Sequence, residues 1–293
     1  MNDKNRNRLV DPDRRFPTVM IAPTLIILLL LTVYPLIFTL IYSFTDYNYL
    51  KGTANFIGLE NFQKLLKNTY FIQAVFNTIK FTLIAVVSEL ILGTAVAVFV
   101  NGMKHGQKIM RTLILIPYLL PAVTVSLTWK IMLSSNYGII NQVLEFLHLP
   151  VYNWFNDVKS AFATVLVIDV WQNIPFVFLL LYASLQSVPI DQYEAADVDG
   201  ANKWHKFVYI TVPSIKSGIF LCALLRTIDT FRLFEKVNVL TQGGPANTTS
   251  TITQFLYNYG IKNLKFGFGS AGSIVMTLLV LLLSGAYIKR AMK

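Results

Sequence analysis

Long apolar runs separated by short polar segments make up most of this chain. Six of these runs are close to or above the roughly 20 residues that a helix needs to cross about 30 Å of hydrocarbon. They cover residues 19–42, 77–100, 111–133, 161–187, 213–235 and 269–288, and Pro, Lys or Arg interrupts the third and the fifth. The sequence lacks the short alternating segments of a membrane β-barrel. The pattern therefore predicts an all-α integral membrane protein with six transmembrane helices.

The composition agrees with a membrane protein, since 54% of the 293 residues are apolar and only 14% are charged. The first apolar run is too long for a cleavable signal peptide and lacks a small-residue cleavage site, so we expect it to remain in the mature protein. The single cysteine, Cys222, lies inside an apolar run. This excludes a disulfide framework and a cysteine-based metal cluster.

The distribution of Lys and Arg predicts the orientation of the chain in the membrane. With the N-terminus in the cytoplasm, the inside segments hold twice as many Lys and Arg residues as the outside segments, and Lys236 is counted with the outside segments. This excess of positive charge inside favours both termini in the cytoplasm. It also accounts for the net charge of +10 without a nucleic-acid partner.

Polar segments divide the chain into a cytoplasmic tail at residues 1–18 and a transmembrane domain at residues 19–293. Within that domain, the loop 188–212 is expected to be cytoplasmic. The loop 43–76 is expected outside and contains GLENFQKLL, which predicts an amphipathic helix on the outer surface. The apolar residues of this stretch that share one helical face are Leu59, Phe62, Leu65 and Leu66.

Motifs for nucleotide binding and for hydrolytic chemistry are absent from the sequence. It contains neither the G-x-x-x-x-G-K-[ST] loop nor the H-E-x-x-H or G-x-S-x-G motifs. The three histidines lie in loops, where a solvated side chain is more common than a metal ligand. The chain is therefore not expected to be an enzyme, and energy for transport against a gradient has to come from a partner.

One compact polar segment, YEAADVDGANKWHKFVYITVP, lies between the fourth and fifth spans. Asp191 is placed to act as the N-cap of a helix over residues 191–199, with Glu194 at the capping-box position. Gly200 suits the position after that helix, and Asn202 can start a second one. These features alone fit either a functional element or a capped interfacial connector between two spans.

The pattern Glu-Ala-Ala, three residues, Gly, and later Val-Pro resembles the EAA loop of permease subunits of ATP-binding-cassette (ABC) importers. The family often has Leu where Val212 stands. Three further stretches resemble the same family at the expected places: FIGLENFQKLL, YLLPAVTVSLTWKIML followed by YGIINQVL, and VLTQGGPANTT. Together they cover nearly the whole chain and are similar to the larger membrane subunit of maltose and glycerol-phosphate importers. The chain is thus identified as a member of the carbohydrate branch of this family.

This resemblance implies a type I ABC importer permease in a bacterial cell membrane, with a second homologous permease subunit, two cytoplasmic ATPase subunits and an extracytoplasmic solute-binding protein. ATP and Mg²⁺ would be used by the ATPases, and no cofactor is expected on this chain. The first helix of the polar segment would be the coupling helix that docks into a cleft on an ATPase. The residues that the resemblance assigns to this role are Glu194, Ala195, Ala196, Asp199 and Gly200.

Ionisable and amide side chains inside the spans are the second functional signal, because they are costly in lipid and usually face a pore or a partner. In chain order they are Glu89, Asp169, Gln172, Asn173, Arg226, Asp229 and Arg232. In the fourth span, the polar residues and Phe176 share one helical face beside Pro175. Carboxylate and amide groups beside aromatic rings suit a sugar, whose hydroxyls need hydrogen bonds and whose apolar face stacks on rings.

In the maltose-type permeases that this chain resembles, substrate contacts come from this turn of the fourth span and from the middle of the fifth. The positions implied here are Asp169, Gln172, Asn173, Phe176, Arg226 and Thr230. Two structural alternatives are open at this stage. Buried amides also hold helices together, and Arg226 and Asp229, three residues apart, can simply pair on one helix face.

The leading hypothesis is thus a membrane-spanning permease subunit of an ATP-driven, binding-protein-dependent sugar importer. The alternatives are a proton-coupled secondary transporter that uses the intramembrane carboxylates, an ABC permease for a non-sugar solute, and a membrane scaffold without a substrate. The broken helices in matching halves that many secondary transporters have are not evident in the sequence. The sequence does not identify the sugar, and it leaves open whether the second permease is a homologue or a second copy of this chain.

Overall fold

The computed structural model describes residues 12–291, and most of that range is helical. Within it, β-structure is limited to two isolated bridges in the loop that follows the first helix. The helices are α1 (Pro12–Ser43), α2 (Glu60–Leu66), α3 (Thr69–Asn101), α4 (Gln107–Leu119), α5 (Ala122–Met132), α6 (Ile139–Phe146), α7 (Val158–Gln186), α8 (Ile190–Val198), α9 (Lys203–Ser214), α10 (Lys216–Phe231), α11 (Glu235–Leu240), α12 (Ile252–Leu256) and α13 (Phe266–Ala291).

Four helices, α1, α3, α7 and α13, are individually long and apolar enough to cross a membrane. Two bent pairs are long and apolar enough when each pair is taken as one span. These are α4 with α5, which meet at 90°, and α9 with α10, which meet at 65°. The all-α membrane fold is therefore confirmed, and the two interrupted apolar runs of the sequence correspond to the two bent spans.

Proline explains the bend between α4 and α5. Pro121 has no backbone N–H, and its ring disfavours helical geometry at the preceding Leu120, which is extended with a ψ of 138°. The carbonyl of Leu120 therefore lies outside the helical hydrogen-bond ladder, and the side chain of Gln172 on α7 donates to it over 2.9 Å. The bend thus ties the third span to the fourth at the level of the polar residues.

The centre of the bundle is formed by α3, α7 and α10, which all pack against one another. Gly93 on α3 lies directly against α7, where a methyl group added at Gly93 would come within 2.6 Å of Val177 Cγ1. Phe178 and Leu181 are fully buried in the same region. Side chains on the facing sides of these three helices are therefore enclosed by protein, including Glu89, Asp169 and Arg226.

The first helix lies at the edge of the bundle, packed on α13. No side chain in its most apolar stretch is buried within the described chain, so this surface is available to lipid or to another subunit. The helix begins at Pro12, so residues 12–18 continue the helix of the first span. The remainder of the proposed tail, residues 1–11, lies outside the described residues.

The outer loop contains the predicted helix, α2, which packs on the protein through part of its surface. Asn61 and Leu65 are buried, whereas Leu59 and Leu66 are exposed. The Asn61 amide donates to two backbone carbonyls at the end of α1, over 3.1 and 2.7 Å. This amide, which satisfies backbone carbonyls at and just after the end of α1, lies with Leu65 on the protein side of α2.

Candidate functional site

The polar residues of the fourth span lie on α7, whose start is well defined by the sequence. Asp157 is the N-cap, and its carboxylate accepts hydrogen bonds from the backbone N–H groups of Lys159 and Ser160 over 3.1 and 3.0 Å. Further along the helix, Asp169 and Asn173 are buried. The Asn173 amide donates to the Asp169 carboxylate over 3.1 Å and to its backbone carbonyl over 2.9 Å. This amide therefore holds the carboxylate in one orientation.

Arg226 on α10 is the centre of a buried ion cluster between α3, α7 and α10. Its Nε and Nη2 atoms donate to the two carboxylate oxygens of Glu89 on α3, over 2.6 and 2.9 Å. Its Nη1 donates to Asp229 over 2.5 Å, and its Nη2 lies 3.5 Å from an oxygen of Asp169. Glu89 is fully buried and Arg226 is 2% exposed. The pair of hydrogen bonds to Glu89 is the geometry in which a guanidinium binds a carboxylate most specifically.

A second cation, Lys236 on α11, pairs with the other oxygen of Asp169. The sequence pattern counts Lys236 with an outside loop, and the structure shows that its side chain is buried within the protein. α11 packs on α5 and α7, which brings its first turn back to the ion cluster after the fifth span has ended. Asp169 therefore lies between two cations from different helices.

A cavity of about 610 Å³ borders this cluster, which is within the range of small-molecule sites. Five of the six predicted substrate contacts line it, namely Asp169, Gln172, Asn173, Arg226 and Thr230. Three buried oxygens on its wall have no hydrogen-bond partner among the described residues. One is Asp169 Oδ2, 3.5 Å from Arg226 Nη2, and the other two are the neutral Gln172 Oε1 and Thr230 Oγ1. Buried polar atoms without a partner are rare in native proteins. These two oxygens are therefore placed to bind polar groups of a solute.

Phe176, the sixth predicted contact, is not among the residues that line the cavity. Its ring packs on the ring of Tyr118, with the two centroids 5.6 Å apart. Tyr118, at the end of α4, does line the cavity. The aromatic surface beside the polar groups is thus supplied by a residue that the sequence pattern does not single out, and Phe176 supports it from behind.

Both structural alternatives raised by the sequence occur in this geometry. Arg226 and Asp229 pair on one face of α10, and the buried Gln172 amide joins α7 to the bend between α4 and α5 through the carbonyl of Leu120. These contacts coexist with the cavity, so the same residues hold the helices together and form its wall. The sequence shows Glu89 as an ionisable group in a span, but it does not show its partner Arg226, because the two residues lie 137 positions apart.

The segment between the fourth and fifth spans forms α8 and α9. α8 begins at Ile190 and has Pro189 at its N-cap position, so the prediction that Asp191 caps this helix is wrong. Because Pro189 already ends the extended backbone, Asp191 falls inside the first turn. There its negative charge still interacts favourably with the positive end of the helix dipole.

Gly200 ends α8 as predicted. Its φ of 76° is in the left-handed region, which glycine adopts without steric cost. The N–H groups of Gly200 and Ala201 donate to the carbonyls of Asp197 and Ala196, over 3.1 and 2.9 Å, which is a Schellman ending. Asn202 then caps α9 by accepting a hydrogen bond from the backbone of the next turn, again as predicted.

α8 contacts α9 through two side-chain pairs, and most of its remaining surface is exposed. The Lys206 ammonium pairs with Asp197 over 2.5 Å, and the Tyr193 hydroxyl lies 3.0 Å from the hydroxyl of Thr211. These contacts join α8 to α9. The exposed members of the predicted coupling set are Glu194, Ala195, Asp199 and Gly200, and Ala196 is half-buried. The segment therefore presents a short, braced helix with small and acidic residues on its surface.

No group of three or more His, Cys, Asp or Glu side chains within residues 12–291 is arranged to hold a metal ion. The two most deeply buried carboxylates, Glu89 and Asp169, face cations of this same chain. The polar wall of the cavity thus consists of ion pairs and hydrogen-bonding groups.

Residues 89–289 match the family described as "Binding-protein-dependent transport system inner membrane component". Among curated relatives, the trehalose/maltose transport system permease protein MalF of Thermococcus litoralis is 35% identical over 291 residues, which is 99% of this chain and 98% of the relative. The sulfoquinovosyl glycerol transport system permease protein SmoG of Agrobacterium fabrum is 34% identical over 94% of this chain and 90% of its own. The sn-glycerol-3-phosphate transport system permease protein UgpA of Escherichia coli is 31% identical over 95% and 94%.

Solved structures show the same fold. A chain of a bacterial alginate ABC transporter, in complex with alginate pentasaccharide-bound periplasmic protein, matches with a TM-score of 0.85 at 21% identity, over 96% of this chain and 95% of that chain. A chain of the MetNI methionine ABC transporter matches with a TM-score of 0.55 at 16% identity, over 79% and 97%. Since the family match spans more than half of the sequence and the relatives align over nearly their full lengths, this chain belongs to the inner membrane components of binding-protein-dependent transport systems.

Proposed function

We propose that this chain is the permease subunit of an ATP-driven, binding-protein-dependent importer of a carbohydrate. The observation that carries the proposal is the cavity between α7 and α10, where Gln172 Oε1 and Thr230 Oγ1 are buried without partners in the described chain. Sugar hydroxyls both donate and accept hydrogen bonds, so they can satisfy an amide oxygen and a threonine hydroxyl together. The ring of Tyr118 adds the apolar surface that a sugar face needs. The names of the relatives, which include trehalose and maltose, support this solute class.

The proposed assembly contains a second, homologous permease subunit, two cytoplasmic ATPases and a solute-binding protein on the outer side of the membrane. ATP and Mg²⁺ belong to the ATPases, and this chain hydrolyses no ATP. The absence of a G-x-x-x-x-G-K-[ST] loop from the sequence supports this division. The family description, a component of a binding-protein-dependent system, supports the external binding protein.

α8 is the proposed docking helix for an ATPase. Along the chain it follows α7, which carries Asp169 and Gln172, and it precedes α10, which carries Arg226 and Thr230. The contacts that brace α8 on α9 favour movement of the two helices as one body. A shift of an ATPase cleft that holds α8 would therefore act on both walls of the cavity and change its access by rigid-body motion.

ATP-dependent uptake tests the proposal. The complete importer, reconstituted in proteoliposomes with its ATPases and its binding protein, is expected to accumulate a radiolabelled carbohydrate from a panel of mono-, di- and trisaccharides. Uptake should require enclosed ATP and Mg²⁺. Uptake that follows an imposed proton gradient and ignores ATP would establish the secondary-transporter alternative instead. Uptake of non-sugar solutes alone would overturn the assignment to carbohydrate.

A further inference from the structure

The two buried cations on the cavity wall are already bound by carboxylates of the same chain. Arg226 donates hydrogen bonds from two of its nitrogens to the Glu89 carboxylate and from the third to the Asp229 carboxylate. Lys236 is buried against Asp169. Both cations are thus neutralised before any solute enters the cavity.

The charged groups on the cavity wall and directly behind it include one more carboxylate than cations. The carboxylates on the cavity wall or directly behind it are Glu89, Asp169, Asp229 and Glu235, and the cations are Arg226, Arg232 and Lys236. Arg232 is the exposed cation of this set, with its guanidinium 3.9 Å from Asp229. Because Glu89 lies behind the wall, a negatively charged solute would meet three carboxylates and three cations, and therefore no excess of positive charge.

We infer that the cavity selects uncharged carbohydrates over acidic ones, and that Glu89 sets this preference by occupying the guanidinium of Arg226. The inference rests on the proposed function and narrows its substrate class. The names of the relatives do not decide this point, since they include both neutral disaccharides and a phosphate ester.

The physical reason is the cost of exchanging partners inside the protein. An acidic sugar that bound Arg226 would have to displace either Asp229, whose side chain is largely exposed, or Glu89, whose carboxylate would then remain fully buried without a cation. A neutral sugar displaces neither carboxylate, because it can bind through the unpartnered oxygens of Gln172 and Thr230. Glu89 is not among the cavity-lining residues, so it acts as a positioning residue through Arg226.

The test compares the binding of matched neutral and acidic sugars to the purified complex of the permease subunits and the ATPases. The probes are the best neutral sugar from the uptake panel and the same sugar with one hydroxymethyl group oxidised to a carboxylate. The solute-binding protein is left out, so that its own selectivity does not contribute. Isothermal titration gives a Kd for each probe, and the ratio of the two Kd values is the readout.

We expect the wild-type complex to bind the neutral probe at least tenfold more tightly than the acidic probe. Glu89→Gln, which keeps the size of the side chain but frees Arg226, should reduce this preference at least tenfold. The double variant Glu89→Gln/Arg226→Gln should restore it, because the freed cation is gone. Glu60→Gln is the matched control, since Glu60 is an exposed acid on α2 that pairs with Lys64. It should leave the ratio unchanged.

A second variant covers the possibility that Glu89→Gln does not assemble. Asp229→Asn also frees one nitrogen of Arg226, and its side chain is 60% exposed, so it should shift the ratio in the same direction by a smaller factor. Equal affinity of the wild type for both probes would overturn the inference and leave the proposed function intact. An unchanged ratio in an assembled Glu89→Gln or Asp229→Asn complex would do the same. Binding of neither probe would overturn the assignment of this cavity to carbohydrate.

Discussion

At the residue scale, the cavity wall combines charged groups that are paired with neutral groups that are not. Asp169 binds Lys236 and Asp229 binds Arg226, whereas Thr230 Oγ1 and Gln172 Oε1 have no partner in the described chain. A buried polar atom without a partner costs about 1–3 kcal/mol, which a bound hydroxyl would recover. The neutral groups are therefore the cleaner probes of substrate binding, because the charged groups also hold the helices together.

Thr230→Val should weaken carbohydrate uptake without disturbing the bundle, because valine has nearly the same shape and lacks the hydroxyl. The loss of one solute hydrogen bond, about 1–2 kcal/mol, corresponds to an increase of roughly 5- to 30-fold in the KM for uptake. Initial uptake rates in proteoliposomes measure this change. Thr94→Val is the matched control, since the Thr94 hydroxyl bonds to the carbonyl of Leu90 on its own helix. Equal effects of the two variants would contradict a role for Thr230 in binding.

The residues on one helix were easier to predict from the sequence than the site that they form. Asp169, Gln172 and Asn173 follow helical spacing within one span, so their common face could be deduced from periodicity. Lys236 and Tyr118 reach the same cavity from helices whose positions depend on two bends, and periodicity within a helix carries no information about such bends. Their contributions therefore became evident only from the packing.

At the element scale, local chemistry in the sequence accounts for most helix ends. Asp157, Gly200 and Asn202 act as the capping rules predict, and Pro121 marks the bend between α4 and α5. The predicted start of α8 at Asp191 is wrong because the helix begins two residues after Val188, with Pro189 at the N-cap position and Asp191 inside the first turn. The packing of α3 on α7 at Gly93 could not be predicted, since it depends on two spans that are distant in sequence.

Glu194→Lys tests the proposed docking role of α8. Glu194 is exposed on a helix that is already braced against α9, so the charge reversal should leave the fold intact. We expect ATP-driven uptake, and the amount of ATPase that co-purifies with the permease, to fall at least tenfold, because a like charge would meet the basic group proposed on the ATPase.

Glu145→Lys provides the control for this variant. Glu145 is an exposed acid on α6, which lies on the proposed outer side of the membrane. The same charge reversal there should leave the recovery of the ATPase unchanged. Wild-type uptake by Glu194→Lys would argue strongly against docking through α8.

At the scale of the whole molecule, the distribution of basic residues and the helix order predict the same orientation of the chain in the membrane. Lys104 lies in the turn between α3 and α4, and Lys108 lies in the first turn of α4. The α8–α9 segment contains Lys203 and Lys206. An even number of spans places both segments on the same side as the N-terminus. The positive-inside rule assigns that side to the cytoplasm.

Cysteine labelling in intact cells can test this orientation directly. Lys104→Cys places a thiol in the turn between α3 and α4, and Lys159→Cys places one in the exposed first turn of α7. A membrane-impermeant maleimide should label Lys159→Cys in intact cells or spheroplasts, and it should label Lys104→Cys only in inside-out vesicles. The parent chain is a suitable background, because its single cysteine, Cys222, is buried and should react little on either side. The reverse pattern would invert the orientation and place α8 out of reach of a cytoplasmic ATPase, so the docking proposal depends on this result.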